Sequence, residues 1–133
     1  VVVRRDEALI VRVAWALPWM AALVAAVPAR ATQDTSLLAV PLTRAPGQSL
    51  EALRVTYAPG EASRPHVHGR DAYVYVLSGR IRSQVEGQPV RSYVAGQSWF
   101  EPAGVRHLVS ANASDRAPAS MLVVFVGVLK AQP

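Results

Sequence analysis

Residues 60–79 read GEASRPHVHGRDAYVYVLSG and residues 96–107 read GQSWFEPAGVRH, and these two stretches decide the fold. Both open on a glycine and lead into short runs of β-branched and aromatic residues with no apolar repeat at helical spacing. Gly60, Gly69, Gly79, Gly87, Gly96 and Gly104 recur every 8 to 10 residues, which suits strands of about five or six residues joined by tight turns. The pattern predicts strands at Leu50–Tyr57, Arg64–His68, Ala72–Leu77, Arg80–Val85, Val90–Tyr93, Ser98–Glu101, Val105–Ser110 and Ser120–Val128, with Leu37–Leu42 as a candidate edge strand. Strands this short and this many predict an all-β sandwich or barrel, because closure or double layering removes exposed edges. The run Met121–Leu129 is continuously apolar yet too short to cross a membrane. It is expected to be buried on both faces, in the core or under a partner subunit.

The chain has 133 residues, enough for one domain, and 51% of them are hydrophobic, which argues against disorder. It has no cysteine, which excludes disulfides, thiolate metal sites and cysteine nucleophiles. Chemistry must therefore use His, carboxylate, hydroxyl or amide groups. The net charge of +5 is modest, and its arginines are scattered without the basic run or interleaved aromatics of a nucleic-acid surface, so no nucleic-acid partner is expected. The sequence also lacks a phosphate-binding glycine loop, a GxSxG elbow and an HExxH helix.

Val13–Val27 is uncharged and apolar, is preceded by Arg4, Arg5 and Arg12, and leads into Ala29-Arg30-Ala31. This reads as a signal peptide over residues 1–31, followed by a domain over residues 32–133, and predicts a periplasmic or secreted protein with no stable membrane anchor after processing. The alternatives are a membrane anchor or a buried helix. Pro18 and Arg12 shorten the run below the ~20 apolar residues a span needs. Asp6 and Glu7 are unusual in such a leader, and the chain begins with Val.

The only histidines are His66, His68 and His107. Two strand residues one apart project from the same face, so His66 and His68 can grip one ion, and His107 lies on another expected strand. Three neutral nitrogen donors suit one divalent transition metal, whether zinc, iron, copper, manganese or nickel, and leave positions open for water or substrate. The alternative is a set of solvated strand histidines.

The order Gly60, five residues, His66-Val67-His68 and the closing YVYVLSG resembles the first motif of the cupin superfamily. Gly96, five residues, Pro102-Ala103-Gly104, two residues, His107 is similar to its second motif. The resemblance runs from about Val55 to Val126 and implies a small bacterial cupin: a jelly-roll β-barrel with a metal inside and, usually, a homodimer. One position departs. The family's glutamate ligand falls at Ala72 or Tyr73, and Asp71 is one residue too early, on the opposite face of a strand. The asparagine of the second motif is likewise displaced, with Ala111 in its place and Asn112 next. Without the glutamate an ion keeps its full +2 charge, binds more weakly and is a stronger Lewis acid. On the cupin pattern Ala72 would point at the metal and leave an open position there.

Other pocket candidates are less defined. If the polar face of Arg80–Val85 turned inward, Gln84 would offer an amide oxygen and Arg82 would grip an anion, although an outward polar face is the norm. Tyr73 and Trp99 are candidates to line the pocket, with a core role as the alternative. Glu101 is a candidate base near His107, or a surface turn residue before Pro102. The resulting expectation is a dioxygenase-like oxidoreductase acting on a small organic substrate; the alternatives are a ligand-binding or sensing module without turnover and a structural barrel that has lost its site.

Overall fold

The computed structural model describes residues 32–128. The expected signal peptide and its cleavage point lie outside the described residues. Ten strands follow one another with no helix among the described residues: β1 (Gln33–Pro41), β2 (Gln48–Tyr57), β3 (Ala62–Ser63), β4 (His66–Val67), β5 (Asp71–Ser78), β6 (Arg80–Val85), β7 (Arg91–Val94), β8 (Ser98–Glu101), β9 (Arg106–Asn112) and β10 (Ala119–Val128). A first sheet has the order β1-β2-β10-β5-β8, and a second has β3-β9-β6-β7 with β4 also paired to β9. Every pairing is antiparallel. Within the expected strand Arg64–His68 only His66–Val67 pairs, and a second short strand, Ala62–Ser63, precedes it. Pro65 lies between them, and without an N–H it cannot continue the ladder.

The core forms because strand side chains alternate. Val55 and Tyr57 of β2, Ala72, Val74 and Val76 of β5, Trp99 of β8, and Met121, Val123 and Phe125 of β10 turn inward and meet Ile81 of β6. Burying such a side chain contributes roughly 1.5–3 kcal/mol. Gly79 makes the β5–β6 turn at φ 74°, and a Cβ there would lie 2.8 Å from that of Ala119, so only glycine allows β10 to pack this close. The apolar run in β10 is central, between β2 and β5. It is buried on its inner face only, since Val126 and Val128 are exposed in the single chain.

The outer face of the first sheet carries an apolar band, interrupted by the exposed charges of Arg54, opposite Leu122, and Asp71, opposite Val126. Register aligns Leu38, Ala52, Val124, Tyr73 and Phe100 in one row across all five strands, flanked by Val40, Leu50 and Val126 on one side and Leu122 and Tyr75 on the other.

Candidate metal centre

Between the sheets lies a cavity of about 560 Å³. The first sheet gives it an apolar surface of Leu53, Val55, Val74, Met121, Val123 and Phe125, together with Asp34, Tyr57 and Glu101; the second gives Ser63, Ser110 and His107. His66 on β4 stands in register with His107 on β9, and this pairing brings together histidines forty-one residues apart in sequence. His68 follows β4 and packs its ring 4.8 Å from that of Phe125. One ring nitrogen from each of His66, His68 and His107 falls within a single group whose members all lie within 4.8 Å of one another.

Hydrogen-bond partners fix the tautomers. His66 Nδ1 lies 2.7 Å from the Arg64 carbonyl oxygen, which can only accept, so Nδ1 carries the hydrogen and Nε2 presents its lone pair. That Nε2 is 3.0 Å from Nε2 of His68, which is in turn 3.2 Å from Oε2 of Glu101. Neutral His68 has at most one hydrogen there for two lone pairs. A convergence of lone pairs short of hydrogens is what a cation site looks like before the cation, and the donor set fits a divalent transition metal. His107 is buried, with Nε2 2.9 Å from Ser83 Oγ and Nδ1 3.2 Å from Oε1 of Glu101.

Glu101 is not the surface turn residue that Pro102 suggested. It is 4% exposed and points inward from β8 because its parity matches that of Trp99, whose Nε1 donates to Oε1 at 2.7 Å. Burial alone would raise its pKa. Hydrogen bonds with His107 and His68, the electrostatic pull of His107 and the Trp99 N–H outweigh that and hold the carboxyl at about 2.

The remaining candidates stand elsewhere. Arg82 is exposed, and Gln84 donates to the Gln88 carbonyl, because Ile81, Ser83 and Val85 take the inward face of β6. Tyr73 is 46% exposed on the outer face of β5. Trp99 is in the core, stacked on Tyr93 at a centroid distance of 4.5 Å, and reaches the site only through Glu101. Asp71 caps a turn, accepting from the Ala103 N–H at 2.8 Å. Ala72 is fully buried and is the cross-strand partner of Glu101, so the position expected to be open is occupied from the neighbouring strand. Asn112, which begins a glycosylation-type triplet, is buried, and its amide hydrogens are used by the Ala58 and Ala117 carbonyls.

The sequence reading missed the hydroxyl groups of the cavity. Ser63, Ser110 and Ser83 are aligned across β3, β9 and β6. Tyr57, from the opposite sheet, bonds Ser63 at 2.6 Å and Ser110 at 2.8 Å. Burial raises the Tyr57 pKa against the opposing effect of these two bonds. Inward serines flanked by apolar residues on a strand are the only signal that could have found them.

A family profile for the cupin domain matches residues 53–125. No curated protein matches the sequence. Among solved structures, a cupin conserved barrel domain protein from Salinispora arenicola is similar at 26% identity and TM-score 0.56, over 71% of this chain and 74% of that one. Another, from Leptotrichia buccalis, is similar at 27% identity and TM-score 0.59, over 72% of this chain and 41% of that one. An oxalate oxidase in complex with the substrate analogue glycolate is similar at 25% identity and TM-score 0.60, over 78% of this chain and 57% of that one. A further oxalate oxidase structure is matched over only 46% of its length.

Proposed function

Because the chain belongs to the cupin family, whose profile covers more than half of it, we propose that it is a metal-dependent oxidoreductase of dioxygenase type acting on a small organic substrate. The observation that carries this reading is the convergence of His66, His68 and His107 on one wall of the cavity. A divalent metal held by these three would supply Lewis-acid and redox chemistry, with molecular oxygen as the oxidant. The chain's own residues supply the rest. The Arg64 carbonyl holds His66 in the ligating tautomer, and the apolar side chains of the first sheet offer a surface to the hydrocarbon part of a substrate. Tyr57, Ser63 and Ser110 offer hydroxyls to a polar substituent. The likeness to oxalate oxidase supports oxidase chemistry, whereas the apolar wall suits a substrate with more hydrocarbon than oxalate carries.

Elemental analysis of protein purified without a polyhistidine tag, then oxygen uptake across a panel of small organic acids and diketones, tests the reading. One metal per chain together with oxygen uptake supports it. Metal without uptake on any of the panel, and a tightly held organic ligand recovered unchanged, replaces it with a binding module. Absence of stoichiometric metal refutes it.

Two further parts of the proposal concern the setting. The protein is exported, and N-terminal sequencing of the exported form should begin at Thr32 or nearby; an intact residue 1–31 segment on a cytoplasmic form would overturn this. It also forms a homodimer through the outer face of the first sheet. Five strands ~4.8 Å apart and about eight residues long present on the order of 600 Å², close to the ~800 Å² each partner buries in a standard interface.

A further inference from the structure

The sequence lacks the first-motif glutamate, yet the cavity does not lack a carboxylate. Ala72, at the place where that glutamate would sit, and Glu101, from the second motif, are directly paired residues of β5 and β8, and both side chains point inward. A methyl group at residue 72 leaves the space beside it to the longer side chain from the next strand. The two oxygens of Glu101 have different partners. Oε1 accepts from Trp99 Nε1 at 2.7 Å and lies 3.2 Å from His107 Nδ1, which anchors the group. Among the described residues Oε2 has only His68 Nε2, at 3.2 Å, the same nitrogen that lies 3.0 Å from Nε2 of His66.

From this geometry we infer that Glu101 is the fourth ligand of the metal centre, binding through Oε2, and that the carboxylate of the site has moved from one strand to its neighbour. The inference rests on the metal-centre reading above and deepens it. A divalent ion there is held by three neutral imidazoles and one anion, so its net charge is +1 rather than the +2 that the sequence implied. Trp99 is the positioning residue: its indole N–H occupies Oε1 and leaves Oε2 for the ion. The site then favours an ion such as zinc, manganese or ferrous iron, which accept mixed nitrogen and oxygen donors.

The test moves the carboxylate back. Zinc affinity is measured by titration calorimetry on the native protein, Glu101→Gln, Glu101→Ala and the double variant Ala72→Glu/Glu101→Ala, with circular dichroism confirming the fold of each. Glu101→Gln, nearly equal in size, should lose at least about tenfold in affinity through loss of the charged donor. The double variant should recover most of the loss of Glu101→Ala, because its carboxylate enters the same space from the paired residue. A crystal structure of the zinc-loaded protein should place a Glu101 oxygen ~2.0–2.2 Å from the ion. Equal affinity of native protein and Glu101→Gln, or a zinc-loaded structure in which Glu101 touches only imidazoles, overturns the inference and leaves the three-histidine centre standing. A native protein that takes up no zinc, manganese or ferrous iron overturns both.

Discussion

The two sheets differ on both of their faces. The first is mostly apolar inside, where Val74, Val123 and Phe125 wall the cavity beside Tyr57 and Glu101, and carries an apolar row outside from Leu38 to Phe100, with Arg54 and Asp71 at its flanks. The second is polar inside, with Ser63, Ser83, Ser110 and His107, and carries the exposed arginines Arg80, Arg82 and Arg106 outside. A sheet with two apolar faces needs two covers, whereas a sheet with an arginine-bearing outer face is at home in water. The first sheet therefore carries most of the buried apolar core, and in the proposed dimer the contact as well. The second holds most of the donor groups. The exception is Glu101, the one fully buried charged side chain among the described residues of the first sheet, and it is held there by groups from both sides.

The contrast can be broken most forcefully from within. Trp99→Ala removes the largest inward side chain of β8 together with its bond to Glu101, and should cost about 3–5 kcal/mol in chemical denaturation. A loss under about 1 kcal/mol would mean that the first sheet is not the stabilising one. Val124→Lys, in the centre of the outer row, should turn a dimer into a monomer by light scattering at micromolar concentration, with the single chain still folded. A dimer that survives would place the interface elsewhere.

A weaker perturbation addresses the link between the sheets. Tyr57→Phe should cost about 1–2 kcal/mol by leaving Ser63 and Ser110 without their shared partner. It also changes the alkaline limit. The folded pKa of Tyr57 is raised above 10.0, so its share of stability is complete below that pH and is lost as pH rises through the folded value. Denaturation midpoints followed from neutral pH upward should fall more steeply in the native protein than in Tyr57→Phe. The smallest effect is expected on the outer face of the second sheet, where Arg82→Gln should shift stability by no more than ~0.5 kcal/mol and leave zinc affinity unchanged. A large effect would give that face a role that its exposure does not suggest.

The β6 and β8 segments were legible in the sequence at their full length, because alternation of polar and apolar residues and the bounding turn residues leave little freedom. The three histidines were legible from their spacing and the resemblance. The faces of β5 were not, since Tyr73, Tyr75 and Leu77 on one side and Ala72, Val74 and Val76 on the other are equally apolar, and periodicity carries no direction there. Glu101 was obscured for a different reason. Its chemistry depends on standing opposite Ala72, twenty-nine residues earlier, and cross-strand register is set by packing rather than by any local pattern. Tyr57 and its serines share that difficulty, as hydroxyls whose partners lie on other strands.

The first strand has a consequence for how copies of the chain behave when crowded. β1 is the outermost strand of the first sheet, so one row of its backbone N–H and C=O groups has no partner among the described residues and offers a template for another chain. Its register against β2 breaks between Ser36 and Leu38, which leaves two straight stretches of four paired residues, Gln33–Ser36 and Leu38–Pro41, the second ending on a proline. A bulge adds twist and a proline withholds a donor, so an incoming strand would meet a bent, interrupted edge. The irregularity limits open-ended edge-to-edge growth into fibres, while the apolar face beside it remains available for a closed pairing that stops at two.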